Sequence, residues 1–204
     1  MDPTVSSKDV SEATSDLLDR VTDYLVEHGL NDLSLRPIAE SLGVSTYKLV
    51  YHFGSKDEMI ERALAHASAR QVAEVRSWLE KRPSASVGDI MNAYWDWFLA
   101  EDHREPTQLM FEANGLASRR SDGTGPLRAM VLDGVDVEEQ ILERARAPRA
   151  TRQRLATLIC ATCWGLQLDV LNTGDVARTT AAWRAFAADV DAEIARARGG
   201  VVTM

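Results

Sequence analysis

The sequence predicts an all-α protein of about nine helices. Apolar residues recur at helical spacing along most of the 204 residues, and glycine, proline or polar turn residues separate the segments. No stretch shows the alternation of β-branched and polar residues that is typical of a strand. There is no internal repeat, so we expect a small helical head joined to a larger helical bundle.

The first helix is predicted at residues 11–28. Leu17 and Leu25 lie on one apolar face of this segment, and Gly29 ends it. Residues 1–10 show no apolar periodicity, so we predict that they form a mobile arm.

Two short helices follow, each preceded by a residue that can cap it. Ser34 is placed to cap the second helix with its side-chain oxygen, and Gly43 is placed to end it in left-handed backbone. Ser45 is placed to cap the third helix, which runs to about Phe53 and presents a polar face. In a helix-turn-helix, the second helix of such a pair enters the major groove of DNA.

The rest of the chain is predicted to be a series of longer helices. Ser55 and Glu58 have the spacing of a capping box, which opens the first of them. Helices are predicted at residues 56–81, 87–101, 106–117, 126–145, 151–171 and 176–198, with a loop at 119–125. The predicted parts of the chain are a mobile arm (1–10), a helix-turn-helix domain (11–55), a helical body (56–198) and a tail (199–204).

The composition is typical of a globular protein, with 45% apolar and 26% charged residues. No uninterrupted apolar run is long enough to cross a bilayer, and the N-terminal segment is polar rather than signal-like. We therefore predict a cytoplasmic protein without a membrane partner. Cys160 and Cys163 are the only cysteines, so there is no disulfide framework.

The net charge of −8 excludes a generally basic nucleic-acid-binding protein. Residues 1–64 carry six Lys or Arg and twelve Asp or Glu, a balance of −6. The sign reverses locally, because residues 33–56 hold Arg36, Lys48 and Lys56 against Glu40 alone. We predict a focused positive face on an acidic protein, with weak non-specific DNA affinity.

The strongest motif lies in the segment that contains the two short helices. It comprises Ile38-Ala39, Leu42-Gly43-Val44-Ser45, Leu49, Tyr51-His52-Phe53 and Ser55-Lys56-Asp57. This pattern resembles the DNA-binding domain of the tetracycline-repressor (TetR) family, and the resemblance covers about residues 17–64. The resemblance implies that the remaining residues form a divergent, all-helical domain for ligand binding and dimerisation. The sequence departs from the family at Val50, where the family usually has a tyrosine that binds phosphate.

Candidate DNA contacts follow from the position of the third helix and from the resemblance. Residues at the N-terminal end of this helix would reach base edges, and the resemblance implies that His52 and Lys56 bind phosphates. The predicted contacts are Ser34, Arg36, Ser45, Thr46, Tyr47, Lys48, Tyr51, His52 and Lys56. Alternatives remain open, since Tyr47, Lys48 and Arg36 could be solvated and His52 could pack beside Phe53.

A ligand pocket is predicted among the aromatic and methionine side chains of the body, because small-molecule sites are usually apolar with a few convergent polar groups. The candidate lining residues are Met91, Tyr94, Trp95, Phe98, Met110, Phe111, Asn114, Trp164 and Gln167. The alternative is that these stripes are packed core.

The last two helices carry apolar stripes that we predict to form a homodimer interface. The candidate residues are Leu158, Thr162, Leu166, Trp183, Phe186, Val190 and Ile194. These stripes could instead face their own helical bundle. Cys160 and Cys163 are predicted to be packed, because no other soft ligand lies near them and a helix interior gives poor disulfide geometry.

The sequence therefore predicts a dimeric bacterial transcriptional regulator. We expect a repressor that binds a pseudo-palindromic operator and is released by a small apolar or amphipathic effector. The alternatives are an activator with the same mode of DNA binding and a protein-interaction module that has kept the fold. The four histidines are scattered, and no nucleophile–base pair, metal-ligand spacing or phosphate loop is present, so neither an enzyme nor a cofactor is predicted.

Overall fold

The computed structural model describes residues 7–117 and 126–199, and within them it contains nine α-helices. They are α1 (Ser7–His28), α2 (Leu35–Leu42), α3 (Thr46–Phe53), α4 (Lys56–Lys81), α5 (Val87–Leu99), α6 (Glu101–Ala117), α7 (Pro126–Arg144), α8 (Arg149–Thr173) and α9 (Val176–Gly199). The predicted all-α class is confirmed.

Most predicted helix boundaries lie within two residues of the observed ones, and two differ more. Helix α1 begins at Ser7, so the last four residues of the predicted mobile arm are helical. Helix α6 begins at Glu101 rather than at Pro106, which lies inside the helix. A proline near a helix start removes a single backbone bond, so it does not have to mark the first turn. The predicted loop at residues 119–125 lies outside the described residues.

The chain divides into two compact units, and the first comprises residues 1–70 and 108–128. Its core joins the apolar faces of α1, α2 and α3 to the first half of α4 and the second half of α6. The buried core residues are Leu17, Val21, Leu25, Leu30, Ile38, Ala39, Leu49, Phe53, Met59, Ala63, Leu64, Leu109 and Ala113. This unit, called the head below, is larger than the predicted domain of residues 11–55.

The predicted caps in the head are present, with one exception. The Oγ of Ser45 accepts a hydrogen bond from the Lys48 backbone N–H at 3.1 Å. The capping box that opens α4 is formed, since Ser55 N donates to Glu58 Oε2 at 2.7 Å and Glu58 N donates to Ser55 Oγ at 3.1 Å. Gly43 ends α2 at φ +64°, as predicted. Ser34 occupies the N-cap position of α2, but its side chain makes no cap hydrogen bond, so that prediction was wrong.

The second compact unit, called the body below, comprises residues 71–107 and 129–204. Trp95 of α5 and Trp183 of α9 are its largest buried side chains, and their rings stack at 5.4 Å between centroids. Each indole N–H is paired, with Trp183 Nε1 donating to the Met91 carbonyl at 3.0 Å and Trp95 Nε1 donating to Thr180 Oγ1 at 2.9 Å. Paired indoles let these large rings be fully buried without an unsatisfied donor.

Helices α5 and α9 approach closely at Gly88. A Cβ at this position would lie 2.5 Å from Asp191 Oδ2 and 3.1 Å from the Ala187 carbonyl oxygen. Asp191 uses the space to accept hydrogen bonds from Gly88 N at 3.0 Å and Ser86 Oγ at 2.7 Å, at the N-terminus of α5. A carboxylate at this end of a helix is favoured by the free N–H groups and the helix dipole.

Helix α8 is the one described helix that is long and apolar enough to cross a membrane by length and composition. Core helices of helical bundles meet the same criterion, so this finding alone does not indicate a membrane protein. Only 33% of the apolar window is buried within the chain. Among its exposed side chains are Leu158 and Leu168.

Candidate functional site

Helix α3 of the head buries one face and exposes large side chains on the other. Leu49 and Phe53 are buried in the head core, whereas Tyr47, Val50 and Tyr51 are 78%, 45% and 64% exposed. Aromatic side chains with this much exposed apolar surface are available for contact with another molecule.

Two arginines outside the motif fix the ends of the short helices. Arg62 of α4 donates from Nη1 to the His52 carbonyl at 2.9 Å, and its guanidinium lies 5.0 Å from the centre of the Phe53 ring. Arg20 of α1 donates to the Leu42 carbonyl at the end of α2. Cations at helix C-termini bind the free carbonyls and interact favourably with the helix dipole. The sequence pattern did not reveal these roles, because each arginine lies on a different helix from the one whose end it binds.

The predicted positive face is only partly present. Arg36 Nε is paired with Glu40 Oε1 at 2.8 Å, although both side chains remain exposed. Lys56 donates from Nζ to the Leu33 carbonyl at 3.1 Å. Lys48 is the one cationic side chain on α3, and it is exposed. The outer face of α3 is therefore mainly aromatic and hydroxyl-bearing, with Thr46, Tyr47 and Tyr51 as neighbours of Lys48.

His52 is half-buried and already has one hydrogen-bond partner. Its Nδ1 lies 2.8 Å from Thr14 Oγ1 on α1. Its ring meets the Tyr51 ring edge-on at 5.1 Å and lies 6.5 Å from the Phe53 ring. A phosphate contact by this histidine stays a prediction, and it would have to use Nε2.

Within the head, a hydrogen bond connects α6 to the turn that follows α1. The Leu30 backbone N–H donates to Glu112 Oε2 at 2.8 Å. A Cβ on the preceding Gly29 would lie 2.8 Å from the same oxygen, and Gly29 has φ +72°. Glycine suits this position for two reasons, because it adopts positive φ without strain and because it leaves room for the Glu112 carboxylate.

The predicted pocket residues fall into two groups in the body. Met91, Trp95 and Phe98 are buried in the packed core, which is the alternative that the sequence left open. Tyr94 and Trp164 are partly exposed and pack against this core. Gln167 is a buried polar residue, and its Nε2 donates to the Tyr94 hydroxyl at 3.4 Å. The pocket prediction in the body therefore depends on Tyr94, Trp164 and Gln167.

The other three predicted pocket residues belong to the head, because residues 108–128 cluster with it. Met110 packs against the head core. Asn114 donates from Nδ2 to the Met110 carbonyl at 2.9 Å within its own helix. Phe111 is partly exposed.

Three predicted interface residues on α9 are in the core instead of on the surface. Trp183, Val190 and Ile194 are at most 4% exposed, so their side chains cannot reach a second copy, and this part of the prediction was wrong. The stripe faces its own bundle. Phe186 is half-buried, with its ring 6.1 Å from that of Trp183.

On α8 the predicted interface residues differ in exposure. Leu158 is exposed, whereas Thr162 and Leu166 are partly buried. The two cysteines of this helix are free thiols, with Cys160 partly buried and Cys163 buried. Burial raises the pKa of Cys160 to about 12 and raises that of Cys163 as well, so neither forms a reactive thiolate near neutral pH.

Comparison with known sequences finds one family model that matches part of the head. Residues 17–63 match the family model described as "Bacterial regulatory proteins, tetR family". This segment contains α2 and α3 and ends within α4. No curated protein matches the chain in sequence.

Several solved structures share the fold over most of the chain. A transcriptional regulator from Rhodococcus sp. Rha1 is 22% identical, with a TM-score of 0.67 over 92% of this chain and 97% of the other. A TetR-family member from Streptomyces coelicolor A3 is 22% identical, with a TM-score of 0.64 over 87% and 96%. The multidrug binding protein EbrR, solved with imidazole, is 22% identical, with a TM-score of 0.66 over 88% and 90%.

The head carries the sequence of the family's DNA-binding domain, and head and body together have the fold of solved family members. The TetR family consists of transcription regulators that are not enzymes. Residues 17–63 therefore match the model of the TetR family, and the chain shares the fold of solved structures that include a TetR-family member.

Proposed function

We propose that this regulator is a ligand-responsive repressor that binds a pseudo-palindromic operator as a homodimer in the cytoplasm. The observation that carries the proposal is the outward face of α3. Tyr47, Val50 and Tyr51 are exposed, while Leu49 and Phe53 anchor the same helix in the head. A folded protein gains nothing in stability from exposing these side chains, whereas a major-groove contact would bury them.

Specificity would come from the N-terminal half of α3. Lys48 would donate to the O6 and N7 atoms of guanine, and Thr46 would contribute a hydroxyl and a methyl that suits thymine. Tyr47 and Tyr51 would bind sugars and phosphates, which compensates for the family tyrosine that Val50 replaces. Lys56 would add a phosphate contact at the N-terminus of α4.

Dimerisation would use the exposed side of α8. Leu158 and Leu168 are 43% and 44% exposed, and Ala161 and Gly165 lie between them on the same side. Small residues allow two helices to approach closely, and the flanking leucines supply apolar area. The two heads of such a dimer would meet half-sites about one helical turn, roughly 34–36 Å, apart or a multiple of it.

An effector bound in the body would lower operator affinity. Helix α4 belongs to the head through Arg70 and to the body from Gln71, and α6 belongs to the body through Thr107 and to the head from Gln108. A ligand that moves either helix would therefore act on both units, and Glu112 of α6 binds the turn after α1 directly. By linkage, operator DNA must then weaken effector binding by the same factor. The similarity to the multidrug binding protein EbrR supports a small organic effector.

The test is fluorescence anisotropy with the DNA that lies upstream of the protein's own coding sequence. We expect selective binding that weakens steeply with salt, and tighter binding to a full inverted repeat than to a half-site. The Lys48→Ala variant should lose about 1–3 kcal/mol of operator-binding free energy and should discriminate less between bases at one position.

Lys81→Ala is the matched control, because Lys81 is an exposed lysine at the far end of α4, in the body. The Lys81→Ala variant should bind the operator with the affinity of the wild type. Equal losses in the two variants, or a loss for Lys48→Ala that is uniform over all base positions, would contradict the proposed groove contact.

A protein-interaction module is the second candidate, and the exposed apolar surface of α3 favours it. Tyr47, Val50 and Tyr51 together would also suit a protein partner. In that case no upstream sequence would be preferred over random DNA in the anisotropy experiment.

A further inference from the structure

The body buries a carboxyl oxygen that has no hydrogen-bond donor. Glu138 of α7 is partly exposed as a residue, but its Oε2 atom is inaccessible to solvent and has no partner among the described residues. An unpaired charged group in the protein interior costs several kcal/mol. Native structures satisfy nearly all such groups, so this one requires a specific reason.

The titratable groups that interact with the charge of this carboxyl are Tyr94 of α5 and Cys160 and Cys163 of α8. The Tyr94 hydroxyl of α5 accepts hydrogen bonds from Gln71 Nε2 of α4 at 2.6 Å and from Gln167 Nε2 of α8 at 3.4 Å. Burial raises the pKa values of Tyr94, Cys160 and Cys163, and the nearby charge of Glu138 raises each of them further. None of these neighbours carries a positive charge that would balance the carboxylate.

Tyr94 also belongs to a set of half-buried aromatic rings. Its ring stacks on Trp97 at 5.5 Å between centroids. Trp97 in turn meets Trp78 edge-on at 5.9 Å and stacks on His103 at 4.0 Å. Aromatic faces attract organic cations, and half-buried rings leave part of their surface available.

We propose that the body binds an organic cation, with a protonated nitrogen of the ligand on the Glu138 carboxylate and its apolar part against Tyr94 and its aromatic neighbours. This inference rests on the proposed effector function and narrows the effector class from any apolar or amphipathic compound to amines and related cations. A neutral ligand would leave the carboxylate unpaired, and an acidic ligand would be repelled by it.

The test is calorimetry with the full-length protein, without DNA, and with three probes that share one apolar body. The probes are 4-phenylbutylamine, 4-phenylbutan-1-ol and 4-phenylbutyrate, which are cationic, neutral and anionic. Burial raises the pKa of Glu138 to about 7, so the titrations are done near pH 8, where the carboxyl is ionised. The wild type should bind the amine at least about ten-fold more tightly than the alcohol, and the acid most weakly.

Glu138→Gln should abolish this preference, raising the Kd of the amine about ten-fold and leaving that of the alcohol nearly unchanged. The matched control is Glu139→Gln at the next position of α7, which should keep the wild-type preference. Melting curves establish that both variants fold. Equal affinities for amine and alcohol, undetectable amine binding, or a preference that survives Glu138→Gln would each overturn the inference.

The outcome is separable from that of the proposed function. A protein that binds its operator but shows no preference for the amine would refute the cation site alone. A protein that binds the amine through Glu138 but recognises no DNA would refute the proposed regulator and leave the cation site intact.

Discussion

The head and the body use large aromatic side chains in opposite ways. In the head, Tyr47 and Tyr51 expose most of their surface, although the unit is small and has little apolar area to spare. In the body, Trp95 and Trp183 are at most 1% exposed and stack on each other. The difference separates two roles of aromatic residues, since the buried pair stabilises the fold and the exposed pair is available to bind.

The two units also treat charge differently. The cations Arg20, Arg62 and Lys56 of the head donate to backbone carbonyls of the head itself, so their charge supports the presentation of α3. In the body, the carboxyl of Glu138 lacks such support. These three cations of the head therefore have partners within the fold, whereas one carboxyl oxygen of the body has no donor among the described residues.

The largest expected effect tests the aromatic contrast. Trp183→Ala should lower the free energy of unfolding by about 3–5 kcal/mol, because it leaves a large cavity and removes the indole hydrogen bond to the Met91 carbonyl. Tyr47→Ala is the matched truncation in the head and should change stability by less than about 0.5 kcal/mol. Urea unfolding measures both. A similar loss of stability in the two variants would mean that the Tyr47 side chain packs against the head instead of facing solvent.

The next effect tests the charge contrast through pH. Burial raises the pKa of Glu138 from 4.5 to about 7. The folded state therefore keeps its proton where the unfolded state has lost it. This group costs almost no stability below about pH 4.5, and its cost grows between about pH 4.5 and about pH 7 and then levels off at about 3 kcal/mol.

Glu138→Gln removes this titration. The stability of the variant relative to the wild type should rise by about 2–3 kcal/mol between about pH 5 and about pH 8. Denaturant unfolding at a series of pH values measures the difference. Glu139→Gln should track the wild type across the series, and a flat difference for Glu138→Gln would place the carboxyl in contact with water.

The smallest effect concerns the cations of the head. Lys56→Ala should weaken binding to all DNA sequences about equally and reduce the slope of log K against log salt by about one unit. Anisotropy titrations at several salt concentrations measure the slope. A change in base preference with an unchanged slope would indicate that Lys56 contacts bases instead of phosphates.

Local rules predicted much of the head and its boundaries. Ser45, Gly43 and the Ser55–Glu58 box were predicted correctly because a cap depends on residues a few positions apart. Ser34 shows the limit of that rule, since a suitable residue at an N-cap does not always make the bond. The roles of Arg20 and Arg62 could not be predicted, because each binds a backbone carbonyl at least ten residues away. Every residue has such a carbonyl, so the sequence does not mark which one is bound.

The body was predicted less well, for a reason that its apolar stripes illustrate. Helical spacing indicates that residues share a face, but it does not indicate what that face meets. Trp183, Val190 and Ile194 do share a face of α9, and they pack in the body core instead of an interface. The predicted pocket residues on α6 were grouped with those of α5 by composition, whereas residues 108–128 cluster with the head.

The sequence by itself determined the class of the fold, the family whose model the head matches, and most of the caps and turns of the short helices. These properties depend on periodicity, capping and turn residues, which act over one or two helical turns. Only the tertiary structure decided which side of each long helix is buried and which charges are paired. Glu138 shows why, since nothing in the sequence around an ordinary glutamate distinguishes a solvated carboxyl from one buried without a donor.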